Sequence, residues 1–329
     1  QGNILVALMG RAVFPDGKAG VAAGNLDAGI SSITNQTQAQ VKTGGELDAE
    51  GNVTVSADNE NLVQQVKGLA SIGGLGVNLQ ADGLILKDEA LAQTDAGSSL
   101  NSKQGNVTTD AENKLTERTL TGSLSAGGVG AGAAVNVVRA EEGAKALLHG
   151  NAKADAGDVA VHAANTEDVI SVSTGVGAGV SGAAEISANV HMGLDRAVAE
   201  IGDGTEASTV TGKNIGVKAE NTGTRKSLGA NMAVGGLGAL AGGADIGIFK
   251  TDTIAAIRDH ADVTAANNVD VNAVNTQSNT GFSGNAALAG GAGAGASLTI
   301  AAYGTGTAGE AQSDQKKYLD AVNDKLGFK

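Results

Sequence analysis

The chain has 329 residues and a formal charge of −13, from 35 acidic against 22 basic side chains, a balance that disfavours nucleic acid as a partner. Cysteine is absent, which excludes disulfides and thiolate metal sites. Glycine reaches 51 residues while aromatics supply only 2% and Pro15 is the single proline, so a thin core of stacked small side chains is expected instead of one filled by large rings.

The first element, Asn3-Ile4-Leu5-Val6-Ala7-Leu8, is a loose copy of a phrase that recurs along the chain. Firmer copies are Asn52-Val53-Thr54-Val55-Ser56-Ala57, Asn106-Val107-Thr108-Thr109-Asp110-Ala111 and Asp158-Val159-Ala160-Val161-His162-Ala163. Two more follow at Asn214-Ile215-Gly216-Val217-Lys218-Ala219 and Asn268-Val269-Asp270-Val271-Asn272-Ala273. The starts at 3, 52, 106, 158, 214 and 268 are 49, 54, 52, 56 and 54 residues apart, the self-similarity of a stacked-repeat protein. Apolar residues alternate with variable ones, as a strand with one buried face requires, and the Gly or Asn in front suits a turn. The regular alternation argues against disorder over most of the chain. Residues 1–312 are therefore expected to form one continuous repeat-built body.

Within each repeat of about 54 residues, three sub-units of roughly 18 residues can be drawn, each the length of one coil of a parallel β-helix. The third carries its own marker, Ala39, Ala92, Ala146, Ala199, Ala255 and Ala308, at spacings of 53, 54, 53, 56 and 53. A glycine-rich marker recurs at Gly73-Gly74-Leu75-Gly76, Gly127-Gly128-Val129-Gly130, Gly175-Val176-Gly177, Gly235-Gly236-Leu237-Gly238 and Gly290-Gly291-Ala292-Gly293. Glycine weakens a strand unless something must come close, so these runs predict close sheet packing. About 17 coils at ~4.8 Å each give a rod of about 80 Å. Met232–Phe249 is nearly uncharged, but Asp245 interrupts it, and no transmembrane helix is expected. From Ser313 the spacing of Tyr318, Leu319, Val322 and Leu326 turns helical, which predicts a short C-terminal helix over 313–329 as a cap or docking tail.

Chemistry is sparse. The histidines His149, His162, His191 and His260 lack metal-ligand spacing, and His162 occupies a variable, outward position of the phrase. Asp155, Asp158, Glu167 and Asp168 read as part of a solvated face. Gly242-Gly243-Ala244-Asp245 matches a calcium-binding nonapeptide only once, and no Lys-Ser/Thr follows the glycine clusters at phosphate-loop spacing. No catalytic, cofactor-binding or metal residues are assigned, and no enzyme is expected. Gln1 leads into a repeat without a signal-peptide pattern, which reads as a mature product or a section of something longer.

The phrase at Asn52, Asp158 and Asn268, with the run Gly128-Val129-Gly130-Ala131-Gly132-Ala133-Ala134-Val135-Asn136-Val137 and the Ala-x-Ile/Val strand, resembles the repeat region of leukotoxin-family filamentous adhesins, relatives of filamentous haemagglutinin-like exported bacterial proteins. The resemblance covers nearly the whole chain except its tail. It implies an all-β, right-handed parallel β-helix displayed at the bacterial cell surface. The implied role is attachment to host or neighbouring cells, without a cofactor. Two alternatives stand beside a structural or adhesive segment: a subunit that stacks end to end on copies of itself, and a section of a membrane-active protein.

Overall fold

The computed structural model describes residues 2–9 and 22–304. Among these residues there is no helix; the chain runs through β1 (Gly2–Met9), β2 (Ala22–Val41), β3 (Glu46–Ala49), β4 (Val53–Thr94), β5 (Ser99–Ser102) and β6 (Val107–Leu148). It continues through β7 (Asn151–Ala154), β8 (Val159–Ile201), β9 (Ser208–Gly235), β10 (Gly238–Ile257), β11 (Ala261–Ala289) and β12 (Ala292–Gly304). The protein is all-β. Its strands pair only in parallel, in one β-helix-like stack. The helix expected over 313–329 lies outside the described residues.

Strand pairing connects successive copies of the phrase. Val53 lies beside Val107, Val107 beside Val159, Val159 beside Ile215, and Ile215 beside Val269. The alanine marker is equally in line, Ala39 beside Ala92, then Ala146, Ala199 and Ala255. Neighbouring rungs are thus separated by fifty-odd residues, which overturns the division into three coils of roughly 18. Each of β4, β6 and β8 runs as one strand through most of a repeat, so the sub-units are stretches of one coil. The opening phrase is also corrected: Asn3 lies beside Leu62, not Asn52, because an alternation of period two fits several registers equally well.

Each coil folds back on itself. Within β4, Asn61 donates to Asp88 at 2.7 Å and Lys67 pairs with Asp82, links that converge on Gly73 and Gly74. Four of the five glycine clusters therefore mark a bend, not a strand packed against another strand's face; Gly175-Val176-Gly177 instead lies beside Ser123 to Ser125, four residues short of the bend at Gly179. A Cβ at Gly127 would overlap the Gly73 carbonyl of the coil beside it, and one at Gly236 would overlap that of Val180. Only hydrogen fits at these two positions where successive bends stack.

The result is an arch of two facing layers, closed at its open end by short strands such as β5. With ~3.3 Å per residue and ~4.8 Å between strands, each arch is about 70 Å long and five or six of them stack to about 25–30 Å. The expected 80 Å rod is instead a broad, shallow blade.

The largest apolar cluster fills the open end, where Val53, Val107, Val159 and Ile215 meet Leu100 and Leu148. Ala57 and Ala92 belong to the same cluster, and their small size lets the layers approach. Smaller clusters lie midway, around Val63, Leu84 and Leu115, and near the bend, around Ala183, Ala233 and Ala241.

A buried ionic cluster as the candidate functional site

Midway along the arch, alternation delivers charged side chains to the inside of the stack. The inward column that begins with Val63 continues as Glu117, Val169 and Arg225, and the column Asn61, Leu115, Glu167 and Gly223 runs beside it. On the facing layer, Leu84 and Val138 give way to His191, and Asp88 and Glu142 to Asp195. Two of these positions, Val63 and Leu84 in β4, are aliphatic there and become ionisable in later coils as Glu117 and His191. Glu117, Glu142, Glu167, His191, Asp195 and Arg225 are each no more than 4% exposed.

Arg225 is the hub. Its guanidinium pairs with Glu167 and Asp195, donates to Gln277 at 2.7 Å, and lies 4.1 Å from the centre of the Phe249 ring. His191 Nε2 lies 3.5 Å from Glu167, and its ring is 5.3 Å from that of Phe249. Two glycines make the room: a Cβ at Gly223 would strike Gln277, and one at Gly193 would press on Phe249.

Four carboxyls face two bases, and burial decides their protonation. Loss of water pushes Glu117 up to about 7, and lifts Glu142 well above the ordinary carboxylate range. Burial likewise raises Asp195 to about 6 even beside Arg225. Glu167 goes the other way: burial opposes its charge, but Arg225 and His191 together hold it below the ordinary value. Burial alone would lower His191, and Glu167 and Glu117 outweigh it, so its pKa rises. Neither oxygen of Glu117 or Glu142 has a hydrogen-bond partner. Glu142, Glu167 and Asp195 bring oxygens within 4.8 Å of one another, but Arg225 already supplies the counter-charge to two of them. The arrangement holds protons and charge largely out of water.

A second constellation lies on the outer face of the open end. His162 sits beside Asp110 and Lys218 in neighbouring strands, with its nitrogens 2.8 Å from Asp110 and 3.1 Å from Glu220. The hydrogen bond to Asp110 is the main reason its pKa rises. Asp110, Glu112 and His162 could together hold a cation. A surface groove of about 300 Å³, lined by Lys87, Glu89, Glu141, Lys145 and Arg196, also reaches Glu142 of the buried cluster. Its charges engage each other across coils, Lys145 with Glu89 at 2.5 Å and Lys87 with Glu141 at 3.4 Å.

Several sequence-based expectations are revised. Glu167, read as part of a solvated face, is the buried anion of the cluster, whereas Asp155 is exposed and Asp158 and Asp168 are partly exposed. His162 faces outward as expected, though it is half-covered by its two carboxylate neighbours. His149 contacts Glu200 at 3.3 Å, His191 joins the ionic cluster, and His260 holds a turn with φ of 63°. Asp245 does not interrupt an apolar surface, because it points inward and accepts from Ser227 and Asn189. Arg225, Glu117 and Asp195 were missed. Laying the repeats in register would have found them, since all three fall on inward positions. Among the described residues no helix is long and apolar enough to cross a membrane. Comparisons with protein-family models, curated proteins and solved structures found no match to this chain.

Proposed function

We propose that this chain is a non-enzymatic structural and adhesive segment of an extracellular bacterial surface fibre, a right-handed solenoid with one coil per repeat of about 54 residues. The observation that supports this reading is the continuity of the stack. An inward ladder, Asn59 to Asn113 at 3.0 Å, Asn113 to Asn165 at 2.8 Å and Asn165 to Asn221 at 3.3 Å, runs through four coils without a break. Such a ladder rewards every added coil equally, which is what an extendable fibre needs. The resemblance to leukotoxin-family filamentous adhesins points the same way. The ionic cluster serves as an internal register lock, because its partners come from successive coils and a slip of one residue would separate them.

Antibody labelling of the source cells, read by electron microscopy, tests the fibre. Label along surface projections is expected, and label confined to the cell interior would overturn the reading. Beads coated with the chain test adhesion: they should bind host or neighbouring cells above bare beads. Retention no greater than that of bare beads removes the adhesive half.

End-to-end stacking is the second reading. Its support is that β11 and β12 each have one strand neighbour among the described residues, with Val269 and Leu288 about half exposed along them. Removing residues 313–329 should then promote association, and a strictly monomeric truncated chain would sink this reading.

A further inference from the structure

The half of each arch nearest the bend has its sidedness reversed. Inside it lie Thr119, Ser171, Asn136 and Asn189, joined by hydrogen bonds of 2.8–3.3 Å. Its charges are enclosed as well: Lys67 pairs with Asp82, and Glu185 accepts from Ser123. Outside, the columns are apolar. One layer presents Val66, Leu120, Val172, Leu228 and Phe282 in a single row, and Ala70, Leu124, Val176, Met232 and Ala286 in another. The facing layer presents Leu79, Ala133, Ile186 and Gly242 in register. At the bend, Val180 and Leu237 are 80% and 73% exposed. Not one outward position from Val66 to Ile72 or from Leu75 to Gly83, nor any of their partners in the next coils, carries a charge.

Polar inside and apolar outside is the sidedness of strands that face lipid, with backbone groups paired between all but the edge strands such as β11 and β12. We propose that the bend edge of this blade inserts into a lipid bilayer. Three dimensions favour lipid over a second copy of the chain. The uncharged zone reaches about 26 Å from the bend at ~3.3 Å per residue, close to the ~30 Å of a hydrocarbon core. It ends at the same height on both layers, at Arg118 on one and Arg139 on the other, where polar headgroups would begin. The two apolar faces together cover roughly 1,400 Å², well beyond the few hundred Å² that soluble surfaces usually leave bare. A second copy docked on one layer would leave the other layer and the bend in water, while a bilayer covers all three.

This goes beyond the fibre reading and stands or falls separately, since a fibre that ignores lipid remains a fibre. The chain has no cysteine, so single labels can be placed cleanly. An environment-sensitive fluorophore at Leu237→Cys or Val180→Cys, in the full chain with phosphatidylcholine vesicles, should shift to the blue and brighten several-fold. It should also be quenched by lipid-borne quenchers. The same label at Thr54→Cys, on the outer face of the open end, should not respond. Leu124→Asp with Leu237→Asp, both at exposed positions that keep the fold by circular dichroism, should weaken vesicle binding at least tenfold. No spectral change at the bend with vesicles overturns the proposal. So does a bend signal that rises with protein concentration in the absence of lipid, which would assign the faces to a second copy.

Discussion

At the open end of each arch Val53, Val107 and Val159 lie inside, while Thr54, Asp110 and Lys218 face out. Near the bend, Thr119, Ser171 and Asn136 lie inside, while Leu120, Leu124 and Met232 face out. Backbone geometry is the same in both halves, and the inward positions keep their parity from Val53 to Ser71, switching only at the bend itself. What changes is the phase of the apolar residues, which moves from Val55 and Val63 to Val66 and Ile72 without a bulge. The open end is held by burial of aliphatic surface, and the bend half by stacked backbone, hydrogen-bonded ladders and glycine contacts. Stability and surface chemistry are thereby divided between the two ends of one coil. The ionic cluster sits at the crossover.

The bend should break most readily. Gly127→Val places a branched side chain against the Gly73 carbonyl, and is expected to cost on the order of 4 kcal/mol or to prevent folding. The control is Gly216→Ala on the outer face of the open end, where a Cβ meets nothing within 4 Å. Denaturation midpoints should differ sharply between the two, and equal midpoints would remove the close-stacked bend.

At the crossover, Arg225→Met strands Glu167 and Asp195 as buried carboxyls, and should cost about 3–5 kcal/mol near neutral pH. Adding Glu167→Gln and Asp195→Asn should recover much of it. Failure to recover would mean that Arg225 acts through packing on Phe249 instead. In the open end, Leu100→Ala empties a fully buried site and should cost about 2–5 kcal/mol by the same measurement.

Titration gives a smaller effect of definite sign. Glu117 and Asp195 bind protons more tightly folded than unfolded, so folding is penalised as pH rises through about 4–7. His191 and His162 are also raised, and their contribution is full below the ordinary histidine value of 6.5 and is lost as pH rises through their higher folded values. Glu167, held low, contributes above its ordinary value of 4.5 and loses that contribution as pH falls through its folded value. Stability should therefore peak near pH 5 and decline toward pH 8, and Glu117→Gln should flatten the decline. A maximum at pH 8 would contradict the buried, protonated carboxyls.

The smallest effect is the sharpest contrast. Leu124→Asp, outward near the bend, should change stability in water by no more than about 0.5 kcal/mol, whereas a charge at Val107 in the open-end core should unfold the chain.

How far the sequence could be read follows from these same residues. The phrase and the alanine marker reveal strands and rungs, because strict alternation and in-line alanines are local signals of burial. The coil's size was not legible. Three apolar alternations of similar length look like three strands, and nothing local distinguishes a glycine run that packs flat from one that bends. Only links such as Lys67 to Asp82, made across the bend, reveal the arch. The ionic cluster was hidden for the same reason, since Glu117, Glu167, His191 and Arg225 are far apart in sequence and meet only after stacking. A column-by-column reading of the repeats would have exposed them as charges on inward positions, together with the change of apolar phase that marks the bend half.

The most direct test of one coil per repeat is a cross-link between outward positions in successive phrases. Ser56 and Asp110 lie side by side in β4 and β6. At the ~4.8 Å spacing of adjacent strands, Ser56→Cys with Asp110→Cys can close a disulfide; three coils apart, at about 14 Å, the pair cannot. The arch predicts that this double variant forms an intramolecular disulfide under mild oxidation, read as a mass loss of about two hydrogens with the chain still monomeric. Two persistent free thiols in the folded, oxidised chain would contradict it.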